Sequence, residues 1–134
     1  MWKTISVTTG ARVQFLDITA QVRAEVAQSG VKNGICYVFV PHTTAGITIN
    51  ENADPDVVRD LTVALARIVP EHGDYHHSEG NSDAHLKASF MGFHIAIPVI
   101  DGRLALGTWQ GIYFCEFDGP RRRNMKVGVI GDKE

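Results

Sequence analysis

The segment ICYVFVPHTTAGITINENADPDV, residues 35–57, decides the fold class of this chain of 134 residues. Residues 35–41 form a continuous apolar run that is rich in β-formers, which predicts a buried strand. PHTTAG interrupts this run, and residues 47–50 alternate as a second strand. Asp54 followed by Pro55 is typical of a helix start, because proline suits the first helical position. Two strands and then a helix indicate that the two kinds of element do not strictly alternate.

The same patterns, followed outward, predict about eight strands and three helices in one domain over residues 1–134. Further strands are expected at residues 2–8, 12–16, 94–100, 103–106, 111–117 and 124–131. Helical spacing covers a segment between Asp17 or Thr19 and Gly30, a second between Asp54 and Pro70, and a third that Ser82 or Asp83 begins. Runs of strands with few helices favour an α+β fold with a mixed, largely antiparallel sheet.

The composition excludes several classes of protein. Hydrophobic residues make up 44% and charged residues 21%, as in an ordinary globular domain, which argues against a disordered chain. A net charge of -2 argues against a general nucleic-acid binder, and no apolar stretch is long enough to cross a membrane. Cys36 and Cys115 lie in apolar runs and no signal-peptide pattern precedes them. We therefore expect free thiols and a cytoplasmic location.

The chain contains six histidines, and most of them are clustered in one segment. Four of the six histidines, His72, His76, His77 and His85, lie between Pro70 and Gly92. His42 ends the first predicted buried strand, and His94 begins a later one. Imidazoles serve as metal ligands, acid–base groups and anion contacts, but neither HExxH nor CxxC is present. A solvated loop with scattered imidazoles therefore stays open as an alternative.

Two glutamates stand next to apolar strand residues. Glu51 shares a strand face with Ile47 and Ile49, and Glu116 falls within GIYFCEF. A carboxylate on an apolar face either pairs or does chemistry. One arginine of the run at residues 121–123 is a candidate partner for Glu116 or a phosphate ligand, although such a run is more often a solvated turn.

The segment EGNSDAHLKAS, residues 79–89, predicts a turn followed by a short helix. Free N–H groups at a helix start bind anions. His85 lies in the first turn, and Lys87 and Ser89 follow, with Ser89 one turn beyond His85 on the same face. The segment predicts a phosphate-binding cluster, and a capped surface helix is the alternative.

Four longer segments together resemble the YjbQ family, also called UPF0047. They are QFLDIT (14–19), VPHTTAGITINENADPDV (40–57), HSEGNSDAHLKASFMG (77–92) and GRLALGTWQGIYFCEFDGPRRR (102–123). Members of this family are described as secondary thiamine-phosphate synthases, which join hydroxymethylpyrimidine diphosphate to a thiazole phosphate and release diphosphate. The resemblance implies a sheet curved into a half-barrel, a homotrimer and a pocket near subunit contacts.

The resemblance also implies a set of site residues. The positions that match the family are His42, Asn50, Glu51, Asp54, His77, Glu79, His85, Lys87, Ser89, Gln110 and Glu116. From these we expect catalytic roles for His42, Glu51, His85 and Glu116, with the first three meeting in one pocket. Substrate or phosphate contacts are expected from Asn50, His77, Lys87, Ser89, Gln110 and, outside the matched set, Arg122.

The expected partner is a small phosphorylated substrate, without nucleic acid or membrane. Mg²⁺ or Zn²⁺ is a candidate cofactor, and no organic cofactor is expected. A first alternative is a metal-dependent hydrolase in which His42, His77 and His85 hold zinc and either Glu51 or Glu116 acts as base. A second alternative is a trimer that binds a ligand without catalysing a reaction.

Overall fold

The computed structural model describes all 134 residues and contains eight strands and three helices, as predicted. The strands are β1 (Trp2–Thr8), β2 (Gln14–Asp17), β3 (Asn33–Phe39), β4 (Ala45–Glu51), β5 (His94–Ile100), β6 (Arg103–Leu104), β7 (Gln110–Glu116) and β8 (Arg122–Asp132). The helices are α1 (Thr19–Ser29), α2 (Pro55–Ile68) and α3 (Ser82–Met91).

The strands form two sheets, and every paired neighbour is antiparallel. The larger sheet has the order β1-β8-β3-β5-β6, and the smaller has the order β2-β7-β4. Together they form the half-barrel of an α+β fold, which confirms the predicted class. In the larger sheet β8 lies between β1 and β3, so the strand latest in sequence separates two early ones.

Two apolar clusters define the layers of the protein. The main cluster fills the space between the two sheets and includes Val38, Phe114 and Met125, with Val22 of α1 against it. A smaller cluster lies on the other side of the three-stranded sheet, where Leu65 of α2 and two alanines of α3 pack against alternate residues of β7. The layers therefore run from the larger sheet through the core to the smaller sheet and then to α2 and α3.

The outer surface of the larger sheet has no such covering layer. Its outward side chains, which we call the outer sheet face, come from alternate residues of β1, β3, β5 and β8. Several are large, apolar and exposed: Trp2 (53%), Ile35, Phe39, Ile100 and Ile130. Exposed apolar patches of this kind mark interaction sites on proteins.

Local sequence predicts one helix start correctly and two incorrectly. Asp54 caps α2, because its carboxylate accepts a hydrogen bond of 2.9 Å from the Asp56 amide. Ile18 and Asn81 occupy the cap positions of α1 and α3, and neither makes a side-chain cap bond. The predicted cap Asp83 is instead buried in the first turn of α3, where it binds cationic side chains.

No helix of the chain is long and apolar enough to cross a membrane. Cys36 and Cys115 are buried free thiols, as predicted. Burial raises the pKa of Cys36 to about 11 and raises that of Cys115 as well, so both thiols stay protonated at neutral pH.

Candidate functional site

The predicted site residues separate into groups along the three-stranded sheet. His42 lies three residues before β4, and Glu51 is the final residue of that strand. An extended strand rises about 3.3 Å per residue, so the six steps from Ala45 to Glu51 separate the ends of β4 by roughly 20 Å. Within one chain, His42 and Glu51 therefore lie toward opposite ends of β4, and the predicted meeting of both with His85 does not form there.

The first group, which we call the Glu51 end, brings together three predicted residues. Glu51 is opposite Gln110 in the β4–β7 pairing, and Asn50 is its neighbour on β4. The Glu51 carboxylate has no hydrogen-bond or ion-pair partner within the chain, whereas its carbonyl accepts a bond from the Tyr113 hydroxyl at 3.1 Å. The Gln110 side chain accepts a bond of 2.8 Å from the Gly107 amide. The Glu51 end thus presents a half-buried carboxylate that is free to act on a ligand.

A polar network next to the Glu51 end was not predicted. Asp17 accepts hydrogen bonds from the backbone and hydroxyl of Thr19 and from the Asn52 side chain. Burial raises the pKa of Asp17, but these bonds outweigh it and hold the pKa below its usual value. Burial, with Asp17 and Glu51 nearby, raises the pKa of Tyr113, so its phenol stays protonated. The Asp17-Ile18-Thr19 sequence is a local signal for such a turn.

The second group, which we call the His42 end, holds a fully buried ion pair. Glu116 accepts two hydrogen bonds from the Arg123 guanidinium and one of 2.8 Å from the Thr9 hydroxyl. The amides of Phe117 and Asp118 donate to the same carboxylate. The predicted pairing with an arginine is confirmed. The predicted catalytic role is not supported, because the carboxylate is 0% exposed and all its acceptor positions are used.

His42 lies beside this ion pair. Its Nε2 accepts a hydrogen bond of 3.0 Å from the Asn124 amide, which requires that nitrogen to be unprotonated. Burial and the Arg123 guanidinium lower the pKa of His42. The imidazole is therefore neutral at physiological pH, with its proton on Nδ1.

The third group is a shallow pocket at the start of α3, which we call the α3 pocket. It is lined by Asp74, Tyr75, His76, His77, Ser82, His85 and Leu86 and has a volume of about 360 Å³. The rings of His77 and His85 stand edge to face with centroids 5.2 Å apart. Ser89 lies one turn further along α3, where its hydroxyl donates to the His85 carbonyl at 3.0 Å. Tyr75 and Ser82 were not among the predicted site residues, although both are close in sequence to the two histidines.

Lys87 does not have the environment that its predicted phosphate-binding role requires. Its side chain is only 5% exposed and pairs with Asp83 at 3.3 Å. Asp83 is bound from its other side by Arg12 at 3.0 Å. The ammonium group therefore neutralises a buried carboxylate of its own helix, whereas Arg12 links α3 to the segment before β2. No signal near Lys87 in sequence indicates that Arg12 is involved.

Arg122 lies apart from the α3 pocket, on the outer sheet face. Its Nε donates a hydrogen bond of 3.1 Å to the Ser6 hydroxyl. The side chain remains exposed, so it is available to an anion on that face.

The chain does not form the predicted zinc site. No group of three or more His, Cys, Asp or Glu side chains is arranged to hold a metal ion. His77 and His85 form a close pair, but His42 does not complete a set of three ligands with them. Within one chain the residues do not fit zinc, and we assign no chemical step to a metal.

Comparisons with known proteins agree with the fold described above. The model of the family described as "UPF0047 protein YjbQ-like" matches residues 3–132. A UPF0047 protein of Methanocaldococcus jannaschii is 52% identical over 125 residues, which cover 93% of this chain and 91% of that protein. YugU of Bacillus subtilis is 48% identical over 132 residues, which cover 98% and 100% of the two chains.

Solved structures extend the agreement to three dimensions. An uncharacterized YjbQ/UPF0047 protein of Clostridium acetobutylicum has a TM-score of 0.94 and 57% identity, and the match covers 96% of this chain and 99% of that one. A YbjQ-like protein of unknown function from Sulfolobus solfataricus also has a TM-score of 0.94, with 37% identity and coverage of 98% and 97%.

Proposed function

The chain belongs to the UPF0047 family of YjbQ-like proteins, and from this premise we propose that it is a small enzyme acting on phosphorylated heterocycles. The proposed reaction is that of a secondary thiamine-phosphate synthase. The nitrogen of a thiazole phosphate forms a bond to the methylene carbon of hydroxymethylpyrimidine diphosphate. The carbon–oxygen bond to diphosphate breaks at the same carbon, and diphosphate leaves with the bonding electrons.

The observation that carries this proposal is the pair of imidazoles in the α3 pocket. His77 and His85 are both open to solvent and lie within reach of one small ligand. The amides of Ser82 and Asp83, in the first turn of α3, donate no hydrogen bond within the chain. Amides at a helix start and imidazoles together stabilise the negative charge that develops on a leaving diphosphate.

The proposed roles follow from these positions. His85 protonates the leaving diphosphate as general acid, and His77 and the amides at the α3 start bind its oxygens. Glu51 and Gln110 hold the aminopyrimidine from the Glu51 end of a neighbouring subunit. This last role depends on assembly, because the α3 pocket and the Glu51 end share no lining residue within one chain.

The reaction is tested by incubating the protein with both proposed substrates. We expect thiamine phosphate and diphosphate in equal amounts, and no diphosphate release when the thiazole phosphate is omitted. The His77→Ala protein, prepared in the same way, controls for contaminating enzymes and should make much less product. Diphosphate release without the thiazole phosphate would identify a hydrolase, and no release under either condition would reject the reaction.

We also propose that the enzyme assembles as a homotrimer in the cytoplasm. The buried free thiols of Cys36 and Cys115 support a reducing compartment. Two different exposed apolar surfaces support a ring. One is the apolar end of the outer sheet face, with Ile35, Ile100 and Ile130. The other is the helical side of the protein, where Ile68 of α2 (70% exposed) and Phe90 of α3 are exposed. Contact between unlike surfaces of neighbouring subunits generates a closed ring when the rotation from one subunit to the next adds up to a full turn.

A single charge on the apolar end tests this assembly. Ile130→Lys should convert the trimer into monomers at micromolar concentration, because the contact would then bury an unpaired ammonium group. Light scattering measures the mass of each form. Gln21→Lys, which adds the same charge to the exposed side of α1, should remain trimeric. A wild-type protein that is monomeric would reject the trimer, and a trimeric Ile130→Lys variant would reject this surface.

A further inference from the structure

We propose that the outer sheet face carries a second binding site, which takes a small planar heterocycle with a phosphate group. The site lies at the polar end of that face, and we call it the aromatic site. It is lined by Trp2, Tyr37, Val38, Phe39, His94 and Lys126 and has a volume of about 350 Å³. This volume suits one small ligand, since ligand pockets have volumes of roughly 300–1,000 Å³.

Strand register explains why three aromatic rings meet here. Trp2 of β1 and Tyr37 of β3 both pair with Gly128 of β8, which lies between them. Because Gly128 has no side chain, the Trp2 ring lies directly over its backbone: a β-carbon added there would be 2.7 Å from the ring. The centroids of Trp2 and Tyr37 are 6.3 Å apart, and Phe39 is two residues further along β3. The rings offer stacking surfaces to a planar ligand.

Basic side chains occupy the next rows of the same face. In the sheet, Phe39 of β3 stands opposite Lys126 of β8 on one side and opposite His94 of β5 on the other. Arg122 lies four residues before Lys126, on the same face of β8. Lys126 Nζ contacts only the neutral Thr4 hydroxyl, at 3.1 Å. On this face the four long strands carry no acidic side chain except Asp132, near the far end of β8. The charges of Lys126 and Arg122 are therefore not neutralised by acids, and a phosphate complements them.

The size and charge of the aromatic site favour a small molecule over a neighbouring subunit or a nucleic acid strand. A neighbouring subunit would cover the apolar end of the face, but its surface would have to neutralise Lys126 and Arg122 at the polar end. A nucleic acid strand would need a longer basic track than one lysine and one arginine provide. The aromatic site does not use the α3 pocket, so the inference does not depend on the proposed synthase reaction.

Fluorescence of Trp2 tests the site directly. The Trp109→Phe variant leaves Trp2 as the only tryptophan, and Trp109 itself is exposed. We expect uridine 5′-monophosphate to change the Trp2 emission saturably. Uridine, which lacks the phosphate, and ribose 5-phosphate, which lacks the ring, should both bind much more weakly.

A lysine variant and a matched control complete the test. Lys126→Met in the same background should raise the dissociation constant of uridine 5′-monophosphate about 10- to 100-fold, as expected for one charge-assisted hydrogen bond. Lys133→Met, which removes an exposed cation near the end of the chain, should leave it unchanged. No saturable change in emission, or equal effects of the two variants, would overturn the proposal. So would Trp2 emission that responds to protein dilution and not to the nucleotide, because a second copy would then cover the face.

Discussion

Replacing Glu116 with alanine is expected to lower the free energy of unfolding by about 3–5 kcal/mol, the usual cost of removing one partner of a buried ion pair. The Arg123 guanidinium would stay buried without its counter-ion, because its other contacts are only the hydroxyl and carbonyl of Thr44. The Asp118 amide would also lose its only acceptor, whereas the Thr9 hydroxyl and the Phe117 amide would keep the carbonyls of Arg121 and Thr44. Urea denaturation at one fixed protein concentration measures the loss.

The control is a more exposed pair of the same type. Glu25→Ala removes the ion-pair partner of Lys3. The two charged groups are 3.6 Å apart, and the side chains of Lys3 and Glu25 are 57% and 17% exposed. The loss in the free energy of unfolding should be less than about 1 kcal/mol. A similarly small loss for Glu116→Ala would show that the buried pair does not hold the His42 end together.

The stability that Glu116 provides should also depend on pH. Burial raises the pKa of Glu116, but hydrogen bonds from Arg123, Asp118 and Thr9 bring it below its usual value of 4.5. A carboxylate with a lowered pKa stabilises the fold at pH values above its unfolded pKa and loses that effect as the pH falls through the lowered pKa. The difference in stability between the wild type and Glu116→Gln should therefore be constant near neutral pH and should shrink below about pH 4.5.

Replacing His85 with alanine should reduce turnover of the proposed reaction about 10²- to 10⁴-fold, the usual contribution of a general acid. His85 is only half buried and its ring contacts that of His77, so the fold should be nearly unchanged. Steady-state kinetics and thermal unfolding of the same preparations separate the two effects.

His72 provides the matched control for this variant. It lies in the same histidine-rich segment, but its side chain is 92% exposed and does not line the α3 pocket. His72→Ala should therefore turn over at the wild-type rate. A His85→Ala enzyme with full activity would remove His85 from the catalytic residues, and equal losses for both variants would indicate a general effect of the loop.

The sequence predicts the elements well because their signals are local. Residues 35–57 contain the apolar run of β3, the alternation of β4 and the Asp54-Pro55 start of α2, and all three elements form as predicted. The start of α3 is mispredicted for the opposite reason. Asp83 resembles a helix cap locally, but its partner Arg12 is 71 residues away, and no local pattern indicates that contact.

The same contrast between local signals and contacts of distant residues applies to the candidate site. His77 and His85 are eight residues apart, and a turn with a helix start between them brings their rings together. His42 and Glu51 are separated by an extended strand, which holds them apart. The outer sheet face depends on which strands become neighbours, and the position of β8 between β1 and β3 has no signal in any single segment.

That position of β8 sets the order in which a growing polypeptide can complete its larger sheet. β1 pairs with no strand except β8, so it has no partner until residues 122–132 have left the ribosome. During synthesis β3, β5 and β6 can assemble early, while both β1 and the adjacent edge of β3 wait with unpaired backbone groups. Unpaired strand edges promote aggregation, so the nascent chain is at greatest risk just before β8 emerges. Insertion of β8 then satisfies the backbone groups of two strand edges in one step.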